Sequence, residues 1–401
     1  MIILILLFVT RAFGAQTSPN DDKSVLACIG DQRTVLNIIW SCLATIFACT
    51  WLAVHPNVPC RDITRKGAIS CAIERAKIMA ITVLAPEVIV AWAAEQFIVA
   101  WKLTLAHGFL LSMGGFYYAR KYTIHHQALD AHRAASTPPS SIFPWSIKDK
   151  SKGDALSNTI SILQLSWFIV QCIARALQHL PITLLEIIAL AFTGLSIIMY
   201  ALWWYKPLNV KYHISLDGSE WPETNDPEKS ASPVSPSWAK RASYRSENIM
   251  LWTGHTTLGV PGGEFRGDIG HAAIRFYSGT TEELLKRFLT MDCVGSLFAA
   301  FHFAAWSFYF PSHAEMVLWR FSCTAVLIGV FASGNYSLIG ITVIVPWVKF
   351  LRLISFLMMP VGIVVYIIAR IMLIILAFLQ LRSLPPFAFC TVQWTTHIPH
   401  I

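Results

Sequence analysis

Six long apolar runs constrain this chain more than any other feature. They occupy residues 35–54, 159–177, 184–204, 293–310, 316–345 and 353–379. Each is close to or longer than the about 20 residues with which an α-helix crosses some 30 Å of hydrocarbon. A helix that is apolar on all sides must be buried in a large core or dissolved in lipid. Six in one chain favour lipid. Inside a bilayer the backbone has to satisfy its own N–H and C=O groups, and runs of this length do so as helices. Composition agrees. Hydrophobic residues make up 55% and charged residues 13%, against about 25% charged in an ordinary soluble domain. That excludes a disordered chain, a coiled coil and a typical cytosolic enzyme. The expected fold is all-α, a polytopic integral membrane protein of about 6–8 transmembrane helices with helical hairpins and a long cytosolic loop.

The connections between the runs carry the orientation. The net charge is +8, and the Lys and Arg residues gather in segments that flank the apolar runs. There they serve the positive-inside bias and the attraction of anionic lipid. No basic, aromatic-studded surface of the kind that reads nucleic acid is apparent. Arg61, Arg65, Lys66, Arg75 and Lys77 face only Asp62 and Glu74 in the segment after the first run, and 120–152 and 206–287 are again basic. The turns near 179–181 and 311–315 contain neither Lys nor Arg. One topology satisfies this pattern: broad basic segments in the cytosol, hairpin turns and N-terminus on the lumenal or outer side.

The chain divides accordingly. Residues 1–15 read as a signal peptide, with a short apolar core and small residues Ala12 and Gly14 before a polar stretch, although a basic n-region is missing. Residues 16–54 form a lumenal segment and first span. Residues 55–158 form a basic cytosolic segment, 159–204 a transmembrane hairpin, 205–292 a cytosolic loop, 293–379 three spans and 380–401 a tail. The element 78–118 is apolar yet holds Pro86, Glu87 and Glu95 between two basic flanks. A single crossing would break the charge bias, so it reads as an interfacial or re-entrant element, with a twice-crossing hairpin as the alternative. The run 316–345 reads as a tilted helix followed by a tight interfacial turn, with a break near Ser333 to Ser337, beside Gly334 and Asn335, as the alternative, since broken helices line sites in transporters.

Few polar residues stand out as functional. An acid at membrane depth is a functional candidate by default. Glu87 and Glu95 would sit about 80° apart around a helix and about 12 Å apart along it. Proton relay, cation binding or acid–base work on a lipophilic substrate would use such a pair. His302 lies mid-run between Phe301 and Phe303. These three are the candidate catalytic residues. Arg175 and Glu186 flank the first hairpin turn and are expected to pair, and Arg320 is expected either to pair with Glu315 or to snorkel to the interface. Asp292 looks like a helix start, and Thr280 with Glu283 has capping-box spacing. His125, His126 and His132 form only one histidine group, too few ligands for a diiron site. The stretch 254–279 with Gly262, Gly263, Asp268 and His271 lacks a phosphate-loop motif. No GxSxG, HExxH or Asp-rich prenyl-diphosphate motif is present, and no cofactor or metal set follows. Nine cysteines from Cys28 to Cys390 include no CxxC pair, so neither a disulfide framework nor a zinc ribbon is expected. Cys42 and Cys49 share a helix face as small buried hydrophobes.

Several strings are distinctive: SCLATIFACTWLAVHPNVP at 41–59, LAPEVIVAWAAEQ at 84–96, HGFLLSMGGF at 107–116, WWYKPLNV at 203–210, and LRSLPPFAF followed by TVQWTTHIPHI to 401. Together they resemble a functionally uncharacterised family of fungal multi-pass membrane proteins. That resemblance implies a membrane protein and supplies no catalytic residues. Three functions stay open: an accessory or scaffold protein, a membrane enzyme acting on a lipid or terpenoid, and a transporter or channel. The partners implied are the lipid bilayer and, for the enzyme, a lipophilic small molecule. The expected location is the secretory pathway, in the endoplasmic reticulum or plasma membrane.

Overall fold

The computed structural model describes residues 32–57, 68–101, 105–113, 116–117, 145–207, 214–215, 284–341 and 346–394. The signal peptide, the His125, His126 and His132 group, the Thr280–Glu283 box and the glycine-rich stretch 254–279 lie outside them. The described residues form helices α1 (Val35–Phe47), α2 (Ala68–Leu84), α3 (Pro86–Trp101), α4 (Leu105–Ser112), α5 (Trp145–Leu177), α6 (Leu184–Leu202), α7 (Leu284–Phe303), α8 (His313–Ile341) and α9 (Pro346–Gln380). Short 3-10 turns at Leu381–Ser383 and Pro386–Phe389 follow α9. Among the described residues the strand-like pairings are a two-residue parallel contact, Phe116 with Ile214 and Tyr117 with Ser215, and an isolated antiparallel bridge between Gln32 and Cys390. The molecule is all-helical in its described part.

Local chemistry sets the helix ends. Thr34 caps α1 by accepting from the Asn37 N–H at 3.2 Å. Thr183 opens α6 through a reciprocal box: its hydroxyl accepts from the Glu186 N–H at 3.2 Å, and Glu186 Oε2 accepts from the Thr183 N–H at 2.8 Å. At its far end α1 widens into a π turn, Ala48–Leu52, where the Ala53 N–H donates to Ala48 O at 3.1 Å. His179, just past α5, takes φ 53°, the left-handed conformation that stops a helix.

Helix α6 is the axis. It is buried along nearly its whole length and touches α1, α3, α5, α7 and α9. The outer helices show the opposite character. Trp40 is 74% exposed beside Leu36, Leu43 and Phe47 on α1; Ile160, Leu163, Trp167 and Val170 line α5; Val361, Val364, Ile368, Ile371 and Ile375 line α9. Meanwhile Glu87, Glu95, Arg287, His302 and Arg370 are buried. Charges inside and apolar stripes outside reverse the soluble pattern, and in water so much exposed apolar surface would drive association. Among the described residues, five helical segments are long and apolar enough to cross a membrane, or six if the bent α2–α3 pair is one span; 289–303 of α7 is a shorter apolar helix.

Several boundaries differ from expectation. Helix α8 does run unbroken through Gly334 and Asn335, so the alternative of a break there is not formed; helical hydrogen bonding in an apolar environment outweighs the weak propensity of isolated Gly and Asn. Asp292 sits within α7 rather than at its start, and α5 begins at Trp145 instead of 159. The break occurs elsewhere. Helices α2 and α3 bend by 109° at Ala85, where Pro86 has no N–H to continue the ladder and disfavours helical backbone before it.

Contacts place both arms of this bend at one end of the bundle. Arg75 of α2 donates to Trp51 O at 2.9 Å, and Gln96 of α3 donates to Asn57 Oδ1 at 2.9 Å. Trp51 and Asn57 lie at the end of the first span. The opposite end gathers the start of α1, both Lys- and Arg-free turns and the end of α9. There Arg33 pairs with Glu186, Gln380 donates to Tyr309 O at 3.1 Å and accepts from the Leu184 N–H at 2.8 Å, and Arg382 pairs with Glu315. Two ion pairs read from the sequence are thus replaced. Arg175 donates to the carbonyls of Cys390 and Pro181, each at 2.8 Å, and Arg320 donates to Trp306 O at 3.0 Å. A guanidinium close to unpaired carbonyls at a turn takes several oxygens in a geometry that one carboxylate cannot offer.

Close packing holds α4 on α3. A Cβ added at Gly108 would lie 2.5 Å from Ala100 Cα and 2.9 Å from its carbonyl oxygen. Backbone cannot yield as a side chain does, so Gly108→Ala is expected to push α4 away and cost about 1–3 kcal/mol. Thermal unfolding in detergent, followed by fluorescence-detected size exclusion, measures it; an unchanged midpoint would contradict the α3–α4 contact.

Candidate functional site

The bend at Ala85 exposes backbone that a helix would have consumed. The last carbonyls of α2 lose their ladder partners, and the first turn of α3 presents N–H groups. Helix α9 answers both. Arg370 Nε donates to Leu84 O and Nη2 to Val83 O, each at 3.1 Å, so a cation stands at the negative end of α2. Glu87 sits in the first turn of α3, at its positive end. The Tyr366 hydroxyl, one turn before Arg370, has two acceptors in reach: Glu87 Oε1 and Leu84 O, the latter at 3.1 Å. A phenol holds one proton and can serve only one of them at a time. A protonated Glu87 would resolve the competition by donating to the Tyr366 oxygen while Tyr366 donates to Leu84. The other carboxyl oxygen, Oε2, is buried with no hydrogen-bond partner.

His302 completes the cluster from α7. Its Nδ1 lies 2.8 Å from Phe298 O, and its Nε2 lies 3.4 Å from Arg370 Nη1. A carbonyl can only accept and a guanidinium can only donate, so the ring is neutral with its proton on Nδ1. The Arg370 guanidinium also stands 4.2 Å over the Phe298 ring. About 15 Å of helix separates Arg370 from Gln380, which places the cluster deep within the bundle.

Glu95 belongs elsewhere. It pairs with Arg287 of α7, and both side chains are almost fully buried. Glu87 and His302 therefore share Arg370, while Glu95 ties α3 to α7 at a separate point. The expected trio does not converge. Among the described residues no group of three or more His, Cys, Asp or Glu comes together for a metal.

A second buried cation sits beyond α6. Lys206 donates to His55 O and to Gln96 Oε1, the latter at 2.8 Å, and Asn57 Oδ1 stands at 3.5 Å. Its ammonium lies 4.5 Å from the Trp92 ring centre and 4.4 Å from that of Trp203. Burial pulls Lys206 well below the usual lysine range, while three oxygens and two indole faces favour the charged form. Gln96 also donates to Ser112 O at 3.1 Å and accepts from the Trp203 indole at 3.2 Å. One amide thus joins the ends of α3, α4 and α6.

His55 gives this corner a pH dependence. Its Nδ1 lies 2.9 Å from Ala53 O, and its Nε2 is buried without a partner. Burial lowers its pKa to about 3; a second proton would have no acceptor and would face Lys206 and Arg75. The unfolded chain takes up that proton near its usual 6.5 and the folded chain does not, so stability is complete above about 6.5 and is lost as pH falls toward 3. The slope from this group is at most about 1.4 kcal/mol per pH unit. Unfolding midpoints in detergent should drop from pH 7 to pH 5, and His55→Gln should flatten that drop. Equal slopes would assign the effect to other groups.

The sequence reading missed Arg370, Tyr366, Arg287 and Lys206. The signal for Arg370 was present, since an arginine amid the apolar run 353–379 is as unusual as Glu87. Arg287 and Lys206 were hidden among the basic residues of a loop.

The model of a family of unknown function, DUF8562, matches residues 2–105 and 139–225. The matched part carries Glu87, Glu95 and Lys206, whereas Arg287, His302, Tyr366 and Arg370 lie beyond it. No curated protein and no solved structure matches the chain.

Proposed function

We propose that the chain is an integral membrane protein acting as an accessory or scaffold, its intramembrane charges serving to lock helices together. The observation that carries this reading is the pairing of the buried ionic groups across helices. Arg287 holds Glu95, Arg33 holds Glu186, and Arg370 closes the α2 carbonyls and His302. Charges used in this way cost too much to desolvate to be left free for a substrate. The α2–α3 bend is re-entrant in this reading: both arms open to the cytosolic side, with 205–292, while the Lys- and Arg-free turns face the lumen or exterior. The membrane is that of the secretory pathway, endoplasmic reticulum or plasma membrane, and kinship with fungal multi-pass membrane proteins belongs to the same proposal.

One observation favours a second reading. The unpartnered Glu87 Oε2 beside Tyr366 is the kind of group that handles a proton in an enzyme acting on a lipid or terpenoid, or in a proton-coupled transporter. Metabolite and lipid profiling separates the two. Cells with the wild-type chain, without it and with Glu87→Gln are compared. An accessory or scaffold leaves the compound profile of wild type and Glu87→Gln the same. A compound that appears with the wild-type chain and vanishes with Glu87→Gln overturns the first reading in favour of the second.

A further inference from the structure

Cys390 is disulfide-bonded, against the expectation from cysteine spacing. Spacing motifs report local pairs, and this bond joins residues far apart in the chain. Its partner follows by elimination. The chain has nine cysteines, and Cys42, Cys49, Cys71, Cys172, Cys293 and Cys323 form no disulfide. Cys28 and Cys60 remain, both outside the described residues.

Chain reach separates them. Gln32 pairs antiparallel with Cys390, and the Arg33 N–H donates to Phe389 O at 2.8 Å. The backbone at Gln32 and Arg33 therefore runs alongside Cys390, and a chain from Cys28 to Gln32 can span at most about 14 Å. Cys60 follows the other end of the first span. Val35 to Leu52 alone is about 27 Å of helix, and Lys206 holds residue 55 at that far end through its carbonyl. From 55 to 60 the chain extends at most about 18 Å, and a disulfide bridges Cα atoms only about 6 Å apart. Cys60 falls short.

We infer that Cys28 and Cys390 form a disulfide joining the segment before the first span to the C-terminal tail, and that this end of the bundle faces an oxidising compartment. The compartment rests on the orientation proposed above; the pairing does not. In forming the bond, the two thiols give up two protons and two electrons to a disulfide-donating oxidoreductase. The donor's own disulfide becomes a dithiol. Disulfides persist in the endoplasmic reticulum lumen and outside the cell and are rare in the cytosol. The bond and the placement of basic segments on the opposite side thus select the same orientation by unrelated physics.

The test uses the full chain in its own membranes, blocked with N-ethylmaleimide, purified without reductant and digested for mass spectrometry. A linked peptide containing Cys28 and Cys390 that disappears on reduction is expected. N-ethylmaleimide on both residues, or a peptide linking Cys60 to Cys390, overturns the pairing. A version cut at a protease site inserted at residue 235 gives an independent readout. Its two fragments should migrate together without reductant and separate with it. Cys28→Ser or Cys390→Ser should abolish that linkage completely and Cys60→Ser should leave it intact; the reverse pattern refutes the assignment. After reduction, a membrane-impermeant maleimide should label Cys390 in intact cells or in inside-out microsomes opened to the lumen. Labelling from the cytosolic face instead would overturn the compartment while sparing the pairing.

Discussion

Arg370→Leu should unfold or severely loosen the bundle. The substitution removes the donors that close Val83 O and Leu84 O, each at 3.1 Å, and the cation facing His302 Nε2. Val83 O would then lose its donor, and Leu84 O and Glu87 would be left to compete for the single Tyr366 proton. Removing one partner from a buried ionic arrangement costs about 3–5 kcal/mol, a large share of the about 5–15 kcal/mol that stabilises a typical protein. Arg370→Lys should recover little, because an ammonium cannot reproduce the planar fork that spans two carbonyls. Monodisperse protein after detergent extraction, measured by size exclusion, is the readout. A wild-type profile for Arg370→Leu would show that the bend does not depend on this side chain. Glu87→Gln added to Arg370→Leu removes that acid, and partial recovery in that double variant would measure their coupling.

The second large effect is expected at Glu95 and Arg287. Glu95→Leu leaves a guanidinium buried without its carboxylate, and Arg287→Met leaves the converse; both side chains are at least 94% buried, with exposures of 6% and 4%. Each single substitution should cost about 3–5 kcal/mol, whereas the double variant should regain most of it, since apolar replacements of a buried pair are often neutral or stabilising. The control is Arg382 with Glu315, where the arginine side chain is 56% exposed. Water screens that pair, and Arg382→Ala should cost no more than about 1 kcal/mol. Chemical denaturation in detergent resolves the contrast. Additive losses at Glu95 and Arg287 would mean that the two groups do not act as a pair.

The helices were readable because apolar runs with Lys- and Arg-free turns leave the backbone few alternatives. A break could be read at Pro86 and at Gly334–Asn335, and only the first forms. Pro86 removes a donor and clashes with the preceding turn, while Gly334 and Asn335 only weaken propensity, and an apolar surrounding forgives weak propensity more readily than a missing hydrogen bond. Partners were harder to read. Glu186 could be seen beside Arg175 along the chain, yet Arg33, far away in sequence, holds it. Long-range pairing depends on which helices neighbour each other, and hydropathy carries no such information. Cys390 illustrates the same gap, since the segment around it meets Gln32 and Arg33, far away in sequence.

The tail after α9 has a consequence for biogenesis. Arg33 donates to Ala388 O at 2.7 Å, Arg175 reaches the carbonyls of Ala388 and Cys390, and Gln178 and Gln393 exchange hydrogen bonds at 3.0 Å. The acceptors for two early arginines thus belong to a segment that follows every described long helix in the chain. A chain made only as far as α9 therefore leaves those guanidinium groups with water in place of these carbonyls, and this end of the bundle stays open until residues 388–393 fold back onto Arg33, Arg175 and Gln178.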